Sequence, residues 1–197
     1  MIATKPNKLA AVPLPVILQR CAFPPETLES IAGLATVEAV VGKLAAAGQG
    51  MEAARVLAHA LPKREAVWWA CLCARDRLPP EPSPVILAAL KAAEDWVYKP
   101  TEENRRAAMA KAEAAQFDTP SSWAAVGAFW SGGSMSPEGN PVVPPGEHLT
   151  GLAVAGSIML AAAQTEPQHA TERYQQFLAY GANIARGGRG RDPGAAA

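Results

Sequence analysis

Apolar residues recur at helical spacing along most of this chain, and prolines and glycines separate the segments in which they do so. Val37, Val40, Val41 and Leu44, for example, share one face of a helix that Gly48 would end. Spacings of three and four residues place side chains on the same helix face, whereas a half-buried strand needs strict alternation. The sequence shows no such alternation over a useful length. The pattern therefore predicts a fold made of helices.

The predicted fold class is all-α: a single-domain helical bundle of about eight or nine helices, with antiparallel helix pairs. Residues 63–78 contain an unbroken apolar stretch, which a helix can hold only if neighbours cover nearly its whole circumference. We expect this segment to be the central helix. Composition predicts an extended Pro-rich arm over residues 1–24, a helical domain over 25–187 with a long loop at 131–147, and a flexible tail over 188–197.

The charges of the chain balance, which excludes partners that need a strongly basic surface. Eighteen Lys and Arg residues stand against eighteen Asp and Glu residues, so the formal net charge is zero. Nucleic acids bind through phosphate contacts that need a surplus of cations, and we expect no nucleic-acid partner. The longest apolar run, residues 149–163, is shorter than the roughly 20 residues of a membrane-spanning helix. We therefore expect no membrane insertion.

The cysteines indicate a reducing compartment. Cys21, Cys71 and Cys73 cannot form a complete set of disulfides, and they lack the spacing of a zinc site. We expect buried, inert thiols in a cytoplasmic protein, with no bound metal and no other cofactor.

Residue patterns typical of catalysis are weak in this chain. The segment Gly132-Gly133-Ser134-Met135-Ser136 lacks the last glycine of a nucleophile elbow, and no strand is predicted before it. His59, His148 and His169 are widely spread along the sequence and form no closely spaced pair. We expect no catalytic residue and no enzymatic activity. The basic cluster formed by Arg105, Arg106 and Lys111 is interpreted as part of a solvated helix.

The loop at residues 131–147 is the clearest candidate for a functional segment. Loops longer than about 12–15 residues are uncommon inside compact domains, and they are usually functional or mobile. Trp130 lies at its base, and tryptophan side chains commonly concentrate binding energy at protein interfaces. We expect another protein to bind this loop and the adjoining helix ends, through Trp130, Ser131, Gly132, Gly133, Ser134, Met135, Pro141, Val142 and Val143.

Two alternatives remain open at the level of sequence. The first is a small-ligand-binding protein or enzyme with a pocket between the tryptophan-bearing helices, in which His148 or Glu147 supplies the polar group. The second is peripheral membrane association through the apolar residues 149–163.

Three segments carry a resemblance to a known group of proteins. They are Glu65-Ala66-Val67-Trp68-Trp69-Ala70-Cys71, Phe129-Trp130-Ser131-Gly132-Gly133-Ser134 and Leu152-Ala153-Val154-Ala155-Gly156. Over about residues 15–185 the chain resembles an uncharacterised bacterial family of small helical proteins, some of them encoded near type VI secretion genes. The resemblance implies an accessory role, such as an adaptor or chaperone for a secreted effector.

Overall fold

The computed structural model describes residues 7–9 and 12–191, and within them the chain is helical without any strand. The predicted all-α class is therefore confirmed. The α-helices are α1 Leu14–Cys21, α2 Pro25–Ser30, α3 Val37–Ala46, α4 Gly50–Ala60, α5 Lys63–Asp76, α6 Pro84–Tyr98, α7 Glu102–Ala114, α8 Pro120–Phe129, α9 Leu149–Ala163 and α10 Ala170–Ala185, with a single 3-10 turn at Pro167–His169.

Side-chain caps explain why several helices begin where they do. The hydroxyls of Thr36, Thr101 and Thr119 each accept a hydrogen bond from a backbone N–H in the first turn of α3, α7 and α8. Such bonds satisfy N–H groups that have no acceptor inside the helix. At α8, Ser122 also accepts a bond from the N–H of Thr119, which completes a capping box.

Helices α5, α8 and α9 pack against one another at the centre of the bundle. Eight residues of α5 are buried, which confirms that the predicted segment is the central helix. The fully buried indole of Trp69 donates its Nε1–H to the carbonyl oxygen of Phe177 on α10, at 2.7 Å. Helices α3 and α4 also pack together across the short connection of residues 47–49.

The prediction of an extended arm over residues 1–24 is wrong for the second half of that segment, because Leu14–Cys21 form α1. Pro13 and Pro15 stand at the N-cap and in the first turn, where a helix does not use the missing N–H groups. Ile17 and Cys21 then anchor one face of α1 in the core. This helix raises the number to ten among the described residues. Residues 1–6, 10 and 11 of the arm lie outside the described residues.

The tail expected to be flexible from residue 188 is ordered as far as Arg191. Trp68 donates its Nε1–H to the carbonyl of Arg189 at 2.9 Å, and Arg191 forms an ion pair with Asp76. Gly190 lies so close to Leu72 that a Cβ would overlap with that side chain. The glycines, which suggested flexibility, instead let the chain approach α5 closely. Residues 192–197 lie outside the described residues.

The close approach of α10 to the core generates a test of this packing. A Cβ on Gly181 would lie 2.6 Å from Leu57 Cδ2 and 2.9 Å from Trp69 Cε2. We expect Gly181→Ala to lower the free energy of unfolding by about 1–3 kcal/mol, because overpacking outweighs the better helix propensity of alanine. Urea unfolding followed by circular dichroism measures the change.

Gly42→Ala is the matched control for that variant. Gly42 lies in α3, and a Cβ there would meet nothing within 4 Å. We expect this variant to gain up to about 1 kcal/mol from helix propensity alone. Equal effects of the two substitutions would show that the packing around Gly181 has been described wrongly.

Candidate functional site

The predicted loop at residues 131–147 contains neither helix nor strand, and a buried arginine on α7 holds its first half. Arg105 is only 4% exposed. It donates to the carbonyl oxygen of Phe129 at 2.6 Å and to that of Ser134 at 2.8 Å, so it joins the end of α8 to the loop. Its guanidinium also lies over the Phe129 ring, 4.4 Å from the centroid. The interpretation of Arg105 as part of a solvated helix is therefore wrong.

Glu102 neutralises the buried guanidinium from one turn earlier on α7. Both of its carboxylate oxygens accept hydrogen bonds from Arg105 at 2.7 Å, and Arg106 donates to one of them at the same distance. These hydrogen bonds, that from Arg105 first, lower the pKa of Glu102 below its ordinary value. Arg106 in turn donates to the carbonyl oxygen of Ser136, at 3.1 Å.

The loop is further tied to itself through Ser134. Its hydroxyl oxygen accepts hydrogen bonds from the N–H groups of Ser136 and Val143, both at 3.1 Å. The N–H of Met135 donates to the carbonyl of Val143 at 2.8 Å. Gly133 has a φ of +65°, and a Cβ there would lie 2.8 Å from Arg105 Nε. The segment Gly-Gly-Ser thus serves to fold the loop around Arg105.

The structure separates the predicted interface residues into two groups. Trp130 points toward helices α8 and α9, where it contacts Trp123 edge-on with ring centroids 6.4 Å apart. The second group consists of the other eight residues, which lie in the loop itself. Val142, in the second half of the loop, is 75% exposed. The other predicted residues are half-buried or exposed along the loop: Ser131, Gly132, Gly133, Ser134, Met135, Pro141 and Val143. The sequence analysis assigned all nine residues to one surface only because they lie close together in the chain.

Trp130 instead belongs to an apolar groove of about 600 Å³ between α4, α8 and α9. We call this the apolar groove, and define it by its large side chains Met51, Phe117, Trp123, Trp130, Leu152 and Met159. Four of these, Met51, Phe117, Leu152 and Met159, are between 37% and 46% exposed. Exposed apolar side chains that adjoin one another mark binding surfaces more often than isolated ones do.

A left-handed turn presents Phe117 to this groove. Gln116 and Phe117 have φ angles of 57° and 60°, a conformation that is uncommon for residues other than glycine. The carbonyl oxygen of Phe117 accepts the Nε1–H of Trp123 at 2.7 Å, which fixes the turn against the neighbouring aromatic. Backbone strain of this kind is often found at functional sites.

A comparison with known protein families matches most of the chain. A family model described as a family of unknown function, DUF6931, matches residues 40–185. The chain belongs to this family. No curated protein and no solved structure matches the chain. The DUF6931 match begins inside α3 and ends with α10, so it includes the apolar groove, Arg105 and the whole loop.

Within this DUF6931 chain, sequence reasoning missed Arg105 and Phe117. A buried arginine is indistinguishable from a solvated one when the loop that it binds is 25 or more residues away. Phe117 carried a weak signal, since Gln116-Phe117-Asp118 stand between the end of α7 and the capping residue Thr119. Such a short connection forces an abrupt turn.

The polar groups of the ligand-pocket alternative lie away from the tryptophans of the apolar groove. Glu147 is exposed and forms an ion pair with Lys63, at 3.1 Å between Oε2 and Nζ. His148 is exposed at the start of α9. The buried histidine of this region is His59, which is 7% exposed. Burial, followed by the positive fields of Arg20, His148 and Arg55, lowers the pKa of His59 to about 4.

All three cysteines are buried and free. Burial raises the pKa of Cys21 to about 12 and raises the pKa of Cys71 and of Cys73 well above the ordinary value. The expectation of buried thiols is confirmed, and their chemistry is that of inert core residues, since the thiolate is the reactive form. Among the described residues, no helix has the length and apolar character required to cross a bilayer.

Replacing Arg105, which anchors the loop, should lower the free energy of unfolding more than replacing its neighbour Arg106. We expect Arg105→Gln to lower the free energy of unfolding by about 3 kcal/mol, because it leaves two carbonyls and a carboxylate without their buried partner. Arg106→Gln should cost about 1 kcal/mol or less, since that side chain is partly exposed. Chemical denaturation provides both values.

Hydrogen exchange distinguishes loss of the loop from general destabilisation. In Arg105→Gln the amides of Met135, Ser136 and Val143 should lose more of their protection, relative to the unmodified protein, than the amides of α5 do. If the loop amides in that variant kept the protection they have in Arg106→Gln, Arg105 would not be the anchor.

The low pKa of His59 predicts a loss of stability in acid. The unfolded chain binds a proton at His59 near pH 6.5, whereas the folded chain does so only near pH 4, so the free energy of unfolding falls as the pH is lowered between these values. The shift corresponds to about 3 kcal/mol. We expect His59→Gln to lack this component and His169→Gln, a variant of a half-exposed histidine, to keep it. Parallel pH dependences in the two variants would contradict the assignment.

Proposed function

We propose that this protein is a non-enzymatic interaction module that binds the apolar face of an amphipathic helix from a partner protein in the apolar groove. The observation that carries the proposal is the groove itself, with large apolar side chains held at its surface by buried helices. Helix-in-groove recognition places apolar residues spaced by three and four positions into such a surface.

The exposed face of α9 has the shape that a partner helix would need. Leu152 and Met159 lie seven residues apart, with Ala155 and Gly156 between them, so all four follow one face of the helix. The small residues form a depression between two large ones, where the backbone of a partner could approach closely. Met51 and Met159 add flexible side chains that adapt to different apolar shapes.

Polar groups at the edge of the groove add directional contacts. Arg55 and Asp118 both line it, and they provide one positive and one negative charge. Arg55 is fixed by a hydrogen bond to the carbonyl of Cys21 and lies 5.3 Å above the Phe23 ring. A partner helix with an acidic residue on one side and a basic residue on the other would fit this pair.

The loop at residues 131–147 supplies a second contact region beside Trp130. Met135, Val142 and Val143 are exposed on a segment that Arg105 keeps in place, so binding would not require the loop to become ordered. An interface that combines groove and loop retains the residues predicted from sequence and adds those of α4 and α9.

The cellular setting of this role is a narrower proposal. Free buried thiols support a reducing compartment such as the cytoplasm. The resemblance noted above suggests that the partner is a secreted bacterial effector, for which this chain would act as an adaptor or chaperone of a type VI system. A groove that binds an apolar helix suits a chaperone, since it covers a surface that would otherwise aggregate.

The second candidate function is the binding of a small apolar molecule. A volume of about 600 Å³ falls within the range of small-molecule pockets, roughly 300–1,000 Å³. The exposure of four of the large lining side chains favours a protein partner, because small-molecule sites usually enclose most of their ligand.

Charge substitution in the groove tests the proposal. We expect the double variant Leu152→Glu/Met159→Glu to remain folded and to bind a partner, first identified by affinity capture from the native host, at least tenfold more weakly than the unmodified protein. A tenfold loss corresponds to about 1.4 kcal/mol, which is modest for two central interface positions. Titration calorimetry with the purified partner measures the affinity.

Val85→Glu/Leu87→Glu provides the matched control, since both residues are similarly exposed but lie on α6. This variant should bind the partner normally. Equal affinities in the groove and control variants would exclude the groove as the binding site. Loss of binding only after deletion of residues 135–144 would assign the interface to the loop alone.

A further inference from the structure

A second cavity, of about 160 Å³, lies where α4, α5 and α9 meet α1. Its polar lining consists of Arg20, His59, Lys63, Glu147 and Thr150. A single water molecule needs about 10–15 Å³ of comparable space, so the cavity has room for several waters or for a small ion. It shares none of its lining residues with the apolar groove.

Two helices begin at this cavity. Lys63 is the first residue of α5, and Thr150 and Gly151 belong to the first turn of α9. No described side chain caps either helix. The first N–H groups of a helix have no acceptor within it, and the helix dipole places partial positive charge at the same end. Both helices are 14 residues or longer and therefore present fully formed termini to the cavity.

Thr150 provides an independent indication of a ligand site here. The residue is 1% exposed, and its Oγ1 has no hydrogen-bond partner among the described residues. A buried hydroxyl without a partner is destabilising, and native proteins rarely leave one unsatisfied. A ligand with acceptor oxygens in the cavity would satisfy it.

His59 is held against the same turn of α9. A Cβ on Gly151 would overlap with Nδ1 of His59, so the glycine allows the imidazole to reach the helix backbone. The side chain is 93% buried and lines the cavity. It can therefore place a ring nitrogen beside the N–H groups of α9.

The charges around the cavity are mainly positive. Arg20 from α1 and Lys63 from α5 line it, while Arg55 of α4 and His148, the residue before α9, act on His59 from outside it. Glu147 is the one acidic residue in the described lining, and it already pairs with Lys63 while remaining 74% exposed. The arrangement leaves an excess of cations and N–H donors without a matching anion.

We propose that this cavity binds a tetrahedral oxyanion, namely inorganic phosphate or the phosphoryl group of a small phosphomonoester. The N–H groups of α5 and α9 and the Thr150 hydroxyl would donate to its oxygens, and Arg20 and Lys63 would balance its charge. Helix N-termini are established binding sites for phosphate and sulfate. The volume excludes a nucleotide, while the half-exposed Lys63 and exposed Glu147 leave an entrance for the ion.

Protonation of His59 is coupled to this binding. The imidazolium form is disfavoured by burial and by the positive charges of Arg20, His148 and Arg55. Lys63 and Glu147 also line the cavity, where they form an ion pair with each other. A bound phosphate adds negative charge beside the ring and raises the pKa of His59. By linkage, protonation of His59 and binding of the anion favour each other.

The full chain can be titrated directly with sodium phosphate at constant ionic strength, with sodium chloride as the compensating salt. We expect saturable chemical-shift changes in the amides of Lys63, Arg64, Thr150 and Gly151, and a rise in melting temperature. Lys63→Gln should weaken the affinity at least tenfold, whereas Lys91→Gln, which also removes a lysine paired with a carboxylate, should leave it unchanged. Changes that chloride reproduces, or that Lys63→Gln leaves intact, would overturn the proposal.

Thr150→Val provides a second measurement that does not depend on the loss of a charge. The variant replaces the unpartnered hydroxyl with a methyl group, so its melting temperature without phosphate should equal or exceed that of the unmodified protein. In phosphate the increase should be smaller than in the unmodified protein. An equal increase in both proteins would exclude contact between Thr150 and the ion.

Glycerol phosphate distinguishes the two sources of the phosphoryl group. Tighter binding than that of inorganic phosphate would assign the site to a phosphomonoester, and weaker binding would assign it to the free ion. Absence of binding by both compounds at millimolar concentration would overturn the proposal. The groove variants Leu152→Glu/Met159→Glu should bind phosphate normally, because the two sites are independent.

Discussion

Close approach between helices built from small residues is the constraint on which the rest of this structure depends. The buried faces of α8 and α9 consist mainly of alanine, glycine and serine, which let their backbones and that of α5 lie near one another. Because Gly181 has no side chain, α10 leaves room for the indole of Trp69. This indole lies at the centre of the bundle and donates a hydrogen bond to α10. Beside this close packing, Trp123 and Trp130 are partly exposed and Met159 is 41% exposed.

Buried arginines give the connections of this bundle their fixed shape. Arg105 links α7 to the end of α8 and to the loop after it. Arg173, also buried, does the same for the connection between α9 and α10, where it donates to the carbonyls of Ala162 and Glu166 and to the Glu166 carboxylate. The guanidinium has five donors in a fixed plane, so one side chain can satisfy several carbonyls that a turn leaves without partners.

Local patterns allowed most of the helices to be predicted, whereas the contacts that define the candidate sites depend on distant residues. Thr36, Thr101 and Thr119 signal helix starts because their partners lie three residues away. The helix α1 was missed because prolines in its first turn resemble those of an extended arm. Arg105 and the loop that it holds are separated by almost 30 residues, and no spacing rule connects them.

Helix α9 explains how two different surfaces arise from one apolar segment. Its buried face joins the core through residues such as Val154 and Ile158, and its opposite face gives Leu152 and Met159 to the apolar groove. Its N-terminal turn borders the polar cavity, where its first backbone N–H groups and the Thr150 side chain face the lining residues of α1 and α5. A segment this apolar contributes polarity only through its backbone and the hydroxyls of Thr150 and Ser157. Since Ser157 donates to the Pro120 carbonyl at 2.8 Å, Thr150 is the hydroxyl of α9 that remains for a ligand.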